Sequence, residues 1–202
     1  MRKLHRDDLY SWSVFDEPRN IDFNGVCWAR ADGNVLIDPM AMTAHDLAHL
    51  TELGGAAWIV VTNSDHTREA AALAARFGAK VAGPAGEREA FPMDCDRWLA
   101  DGDELVPGLT AIALSGSKTP GELALLIGGH TLVTGDLVRA HGGGRLDLLP
   151  DPKLADKAAA IESLRRLRAL EPDAVLVGDG WPVFRGGVEA LDALLARLKH
   201  SP

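Results

Sequence analysis

The sequence predicts an α/β fold in which two β-sheets pack face to face and helices cover their outer surfaces. Three observations carry this. The run "AAWIVVT" (residues 56–62) is continuously apolar, as expected of a strand covered on both faces. Each half of the chain runs through strands first and then helices. The helices keep their apolar residues on one face, so each must lie on a sheet.

In the first half, "YSWSVF" and "GVCWARA" have β-rich composition, and "NVLIDP" follows the turn "ADGN" to complete a hairpin signal. Thr43 opens a helix, with Asp46 three residues later as a weak capping box. Leu47, Leu50 and Leu53 share its apolar face, and Gly54 ends it. After the strand at 56–62 a second helix buries Ala70, Leu73 and Phe77 and stops at Gly78. "AKVAGP" is a short strand, and "GEREAFPMDCDRWLADGDEL" reads as irregular and polar.

The second half changes rhythm. "LTAIALSG", "ELALLIGG" and "HTLVTGD" are three strands joined by glycine-containing turns, an antiparallel meander. Asp151 and Pro152 read as the cap and first residue of a long helix carrying Leu154, Ile161, Leu164 and Leu167. "DAVLVGDG" is another buried strand. Val188, Leu191, Leu195 and Leu198 mark the terminal helix. The 202 residues suit a single domain, expected to span 1–202.

The formal net charge of −8, with basic residues dispersed, argues against nucleic acid and anionic membranes as partners. Cys27 and Cys95 belong to no paired pattern and suit a reducing compartment. The opening "MRKLHRDDLYSW" is charged with no apolar run behind it, unlike a signal peptide, and no apolar stretch reaches membrane-span length. A cytoplasmic location and a small-molecule partner are the expectation.

Three segments share one form, an apolar strand running into an acidic residue in a polar turn: "WIVVTNSDH", "HTLVTGD" and "AVLVGDG". Strand ends are where α/β folds aim side chains into a shared crevice. Asp65, Asp136 and Asp179 could meet there with His66. Singly, each has a local alternative: Asp65 as a helix cap, Asp136 and Asp179 as turn formers. Three carboxylates in one crevice cannot all stay ionised without a cation, so convergence requires a metal, a lysine or an arginine.

From about Gly25 to the final helix, the sequence resembles the metallo-β-lactamase superfamily. "NVLIDPM" is similar to its early "vLIDpG" hairpin strand. "VVTNSDHTREAAALAARFGAKVAGP" resembles the segment bearing the His-x-His-x-Asp-His motif, and "SGSKTPGELALLI" the P-G-H-T-P-G-S loop. "LVTGDLV" resembles the strand ending in the bridging aspartate, "GGGRLD" a stretch that follows it, and "VLVGDGWPVF" the late G-H-G-x-P element. The resemblance implies a four-layer αβ/βα sandwich with a metal site at the sheet edges.

It also implies an altered ligand set. Asp65 and His66 remain, but Val61 and Asn63 stand where two histidines would, unless the loop is shortened. Ser117 or Lys118 replaces the next histidine, Asp136 matches the bridging aspartate, and Asp179 replaces the last histidine. Two outcomes follow. In one, Asp65, His66, Asp136 and Asp179 hold a single divalent ion; an oxygen-rich set favours Mn, Fe or Mg over a histidine-rich zinc site, though Zn stays open. The protein is then a hydrolase of a small ester, thioester or lactone. Asp65 or Asp179 would accept a proton, and Lys118 would fill the vacant first position or polarise the substrate carbonyl. In the other, no metal binds, Lys118 and Arg139 neutralise the carboxylates, and the crevice binds a small polar or anionic ligand. Asn63, Ser117, Arg139, His141 and Trp181 are the further candidates for the pocket wall.

Overall fold

A computed structural model describes residues 1–199. The first sheet contains, in chain order, β1 (Arg2–Lys3), β2 (Leu9–Asp16), β3 (Ile21–Trp28), β4 (Val35–Ile37), β5 (Trp58–Val60), β6 (Lys80–Pro84) and β7 (Arg97–Leu99). Pairing is antiparallel from β1 to β4 and parallel from β4 to β7. The parallel connections need crossovers, and helices α1 (Ala44–Glu52) and α2 (Ala70–Phe77) supply two of them. Thr43 caps α1 by accepting the Asp46 N–H at 3.1 Å, and Gly78 ends α2 in the left-handed conformation.

The second sheet is built from β8 (Glu104–Val106), β9 (Leu109–Ala113), β10 (Leu123–Ile127), β11 (Thr131–Thr134) and β14 (Ala174–Val177), with β14 beside β11. β9 to β11 form the expected antiparallel meander, β8 extends it as a fourth antiparallel strand, and β14 joins β11 in parallel. Between them come a small hairpin of β12 (Val138–Gly142) and β13 (Arg145–Leu148), then α3 (Lys157–Ala169); α4 (Gly187–Lys199) follows β14.

Alternation along the strands sets the four layers of the αβ/βα sandwich. Trp58 and Val60 turn towards the second sheet, while Ile59 and Val61 turn towards α1 and α2. Val26, Ile37, Val60, Leu109, Leu123 and Leu125 belong to the core between the sheets. Leu36, Ile59 and Val81 pack beneath Leu50 and Leu73 of the helices. Ala124, Leu132 and Val175 do the same beneath Leu164, Leu167 and Leu191. Each fully buried leucine or isoleucine contributes roughly 1.5–3 kcal/mol by leaving water. Among the described residues, no helix is long and apolar enough to cross a membrane.

The structure departs from the sequence expectation in two places. The segment expected to be irregular holds a 3-10 turn at Ala85–Ala90 and the short strands β7 and β8. Asp96 anchors the approach to β7 by exchanging two hydrogen bonds of 2.8 Å with Val81, through its backbone N–H and its carboxylate. The long helix begins later than the Asp-Pro signal: Asp151–Lys153 is a single 3-10 turn, and Asp156 caps α3 by accepting the N–H groups of Ala158 and Ala159. The Gly116 carbonyl holds the intervening chain through the N–H groups of Ala155 and Asp156, which moves the start.

At one end of the sandwich the two sheets are tied directly. Leu123 N–H donates to Thr62 O at 2.8 Å. The Asn24 amide donates to Val177 O and Gly180 O at 2.9 and 2.7 Å, and its backbone N–H donates to Gly178 O at 2.8 Å. Gly180 sits at φ +91°, and a Cβ there would lie 1.9 Å from Ala140 O. Gly180→Ala should therefore cost about 2–4 kcal/mol in urea unfolding, through strain and a backbone clash. Gly78→Ala, at φ +65° with open space around it, should cost only about 1 kcal/mol.

Candidate active site

The tied end gathers the polar ends of several strands around a crevice of about 410 Å³. Strand β5 leads through Thr62 and Asn63 into a 3-10 turn at Ser64–His66, capped by the Asn63 side chain. Asp65 is therefore not a cap. His66 is buried, and its Nδ1 lies 2.8 Å from Asp38 Oδ2. Asp38 follows β4 in a left-handed backbone conformation at φ +46°. It is itself held by the N–H and hydroxyl of Thr62, at 2.8 and 2.6 Å. With Nδ1 committed to Asp38, Nε2 faces Asp136 Oδ2 at 3.5 Å. Burial, the largest single influence, would depress the His66 pKa, but the Asp38 charge and the hydrogen bonds to Asp136 and Asp38 together outweigh it and raise the value to about 9.

Asp136 follows β11, and its Oδ2 accepts from Asn63 Nδ2 at 3.1 Å and from Lys118 Nζ at 2.9 Å. Burial pushes its pKa up, but the His66 and Lys118 interactions prevail and hold it well below the usual carboxylate range. Lys118 comes from the loop between β9 and β10 and also meets Asp65 Oδ2 at 2.6 Å. Burial opposes its charge, yet the two aspartates raise its pKa. Asp179 follows β14. Its Oδ2 accepts from Arg139 of β12, whereas its Oδ1 is buried, has no hydrogen-bond partner and lies 4.0 Å from Arg68.

Set against a metal, these groups divide into two places. The position next to Asp65 already holds an ammonium group, and no histidine stands there to bind an ion. Near Asp179, one ligand atom each of His66, Asp136 and Asp179 lie within 4.8 Å of one another. This spacing and the orphaned Asp179 oxygen fit one divalent ion; the first position does not fit a second. Three of the four expected ligands thus come together, while Asp65 turns to Lys118 and stays about half exposed.

The other expected residues take varied places. Arg139 lines the crevice, and Asn63 braces it from within as a donor to Asp136. Ser117 is buried and donates to Glu122, so it supports the loop instead of lining the pocket. His141 accepts from Arg139 Nε at 2.9 Å but opens, with the exposed Trp181, onto a different depression beside Phe15. Trp181 therefore forms no wall of this crevice, because Gly180 carries the chain across Ala140 and away from it.

Sequence reasoning missed Asp38, Arg68 and Glu122. Asp38 had a signal: "NVLID" is a fourth apolar strand ending in aspartate. Arg68 donates to Asn24 O and Asp38 O at 3.0 and 3.1 Å, from a backbone at φ +36° that no local pattern announces. Glu122 is fully enclosed beneath Asp136. It accepts from Leu137 N–H at 2.8 Å and from Ser117, and burial first and the Asp136 charge second push its pKa to about 7.

Similar proteins bear on this geometry. A family profile described as the metallo-beta-lactamase superfamily matches residues 1–198. A hydroxyacylglutathione hydrolase of Acidiphilium cryptum is 30% identical over 174 residues. That match covers 84% of this chain and 63% of the relative, so the chain spans less than two thirds of that enzyme. TTHA1623, crystallised in a di-iron-bound form, is 25% identical with a TM-score of 0.67, covering 89% of this chain and 96% of that one. ST1585 of Sulfolobus tokodaii, an archaeal protein of the same superfamily, shares the fold at a TM-score of 0.72 and 18% identity, covering 96% and 87%.

Glu122 generates a pH prediction. Its folded pKa lies above the ordinary value of 4.5, so the folded protein keeps a proton that the unfolded chain releases between about pH 4.5 and about 7. Its contribution to stability is present below that window and lost as pH rises through it, at up to about 1.4 kcal/mol per pH unit. Glu122→Gln, which keeps the shape and cannot ionise, should remove this decline. Urea unfolding from pH 5 to 8 should show the variant gaining on the wild type as pH rises.

Proposed function

The chain belongs to the metallo-β-lactamase superfamily, and on that premise we propose that it is a metal-dependent hydrolase of a small ester, thioester or lactone, using one divalent ion and one built-in ammonium group. One observation carries the reading. One ligand atom each of His66, Asp136 and Asp179 lie within 4.8 Å of one another, and Asp179 Oδ1 is buried without a hydrogen-bond partner, while Lys118 already bridges Asp65 and Asp136. The hydrolase name of the Acidiphilium relative supports the thioester option.

When bound, a divalent ion on His66, Asp136 and Asp179 would supply Lewis acidity and a more acidic water. Two carboxylates and one imidazole favour Mn or Fe, with Zn also admissible. The chain's own groups do the rest. Asp38 fixes the His66 ring and leaves Nε2 facing Asp136. Asn63 and Lys118 keep Asp136 ionised in a buried place. Lys118 is partly open to the crevice and so positioned to stabilise negative charge developing on a substrate carbonyl oxygen. Asp65, on the solvent side of that ammonium, is placed to accept a proton.

A second reading has its own support. Arg139 already pairs with Asp179, and the cations His66, Arg68, Lys118 and Arg139 match the carboxylates of Asp38, Asp65, Asp136 and Asp179 in number. A metal-free crevice balanced in this way would bind a small polar or anionic ligand without hydrolysing it.

Metal content separates the two. Protein purified without chelator should carry one equivalent of Mn, Fe or Zn by elemental analysis. Asp179→Asn should lose the metal and at least about 100-fold of thioesterase or lactonase activity, whereas Asp65→Asn should keep the metal. Metal-free protein whose melting temperature ignores added Mn, Fe or Zn would establish the binding reading instead.

A further inference from the structure

We propose that the crevice selects a ligand bearing a carboxylate, seated at its mouth by Arg19 and Lys153. For the reaction this rests on the hydrolase reading; for binding it stands without it. The chain as a whole is acidic at −8, so its distant field repels anions. The crevice is locally the reverse, lined by Arg19, Arg68, Lys118, Arg139 and Lys153 against Asp65, Asp136 and Asp179. The inner three cations are engaged by those aspartates. Arg19 and Lys153 remain as the surplus.

Both are exposed, and among the described residues neither side chain has a carboxylate within ion-pairing distance, although acids stand close in sequence. Asp16 is occupied by the Arg19 backbone N–H at 2.9 Å, not by its guanidinium. Asp151, two residues before Lys153, is taken by Lys157 at 2.7 Å. Arg19 is nevertheless held: its guanidinium lies over the Phe23 ring at 5.4 Å, with Arg68 near the same ring at 5.6 Å. Stacking fixes the fork while leaving its N–H donors for a ligand. Arg19 stands on the turn between β2 and β3, and Lys153 on the 3-10 turn before α3. Two separate segments therefore present unpaired cations to one crevice, a geometry that concentrates a small anion. Phe23 and Leu149 line the same space and would meet the carbon chain that joins the carboxylate to the scissile group.

The test uses matched pairs that differ only in charge. S-acetyl-3-mercaptopropionate and S-acetyl-3-mercaptopropionamide are the thioesters; N-acetyl-β-alanine and its carboxamide are their non-hydrolysable counterparts. Wild type should hydrolyse the carboxylate thioester with kcat/KM about tenfold above the amide, through KM, and 0.3 M NaCl should shrink the preference. The variant Arg19→Ala/Lys153→Ala should lose the preference, with KM for the carboxylate thioester rising to that for the amide. By calorimetry, N-acetyl-β-alanine should bind wild type about tenfold tighter than the double variant. Equal handling of the two charges by wild type, or a preference that survives the double substitution, overturns the proposal. If neither thioester is cleaved, the thioester option fails, and calorimetry alone still decides the anion site.

Discussion

Asp136 is the point around which the structure is arranged. A carboxylate this deep stays charged only if donors reach it from several sides, because burial costs an uncompensated ion several kcal/mol. Here they arrive from three segments: Asn63 after β5, His66 from the turn beyond, and Lys118 from the loop before β10. For these to meet one oxygen, the ends of β5 and β11 must lie side by side although they belong to different sheets. The Leu123–Thr62 hydrogen bond and the Asn24 clasp enforce this. The Asp136 charge is also felt below, where it adds to burial in raising the Glu122 pKa.

An ammonium group set between Asp65 and Asp136 shapes what the crevice can do. A lysine is tethered, carries one charge and cannot lend a coordinated hydroxide. It can still donate hydrogen bonds to an anionic oxygen, and it is present whatever the local metal supply. Much of the crevice's electrostatic framework is therefore built from the chain's own charges. His66 stands between the two proposed readings: protonated it is one of four cations facing four carboxylates, and deprotonated at Nε2 it would offer a metal its lone pair.

Much of the fold was legible in the sequence, because alternating and continuous apolar runs dictate which faces must be covered. The meander, both crossover helices and the terminal helix were readable from periodicity and glycine stops. Strands β7 and β8 were not, since three-residue strands carry too little pattern, and their place is set by partners such as Val81. At the site, His66, Asp136 and Asp179 could be found because strand ends converge in such folds, and Lys118 because it occupies a ligand's place in a familiar loop. Asp65 was read as a ligand because it ends a strand and keeps its place in the Asp-His part of the motif, but consecutive residues on a tight turn project in different directions, and its carboxylate reaches Lys118. Asp38 and Glu122 act through other side chains, so only three-dimensional neighbours reveal them.

The clasp between Asn24 and the 178–180 segment joins residues more than 150 positions apart. During synthesis the N-terminal sheet can emerge and acquire its helices long before β14 leaves the ribosome. Until that last strand docks beside β11, Asp179 is absent from the cluster and the crevice lacks one wall. Until β14 docks, the nascent chain therefore carries a partly built sandwich with an open inner face.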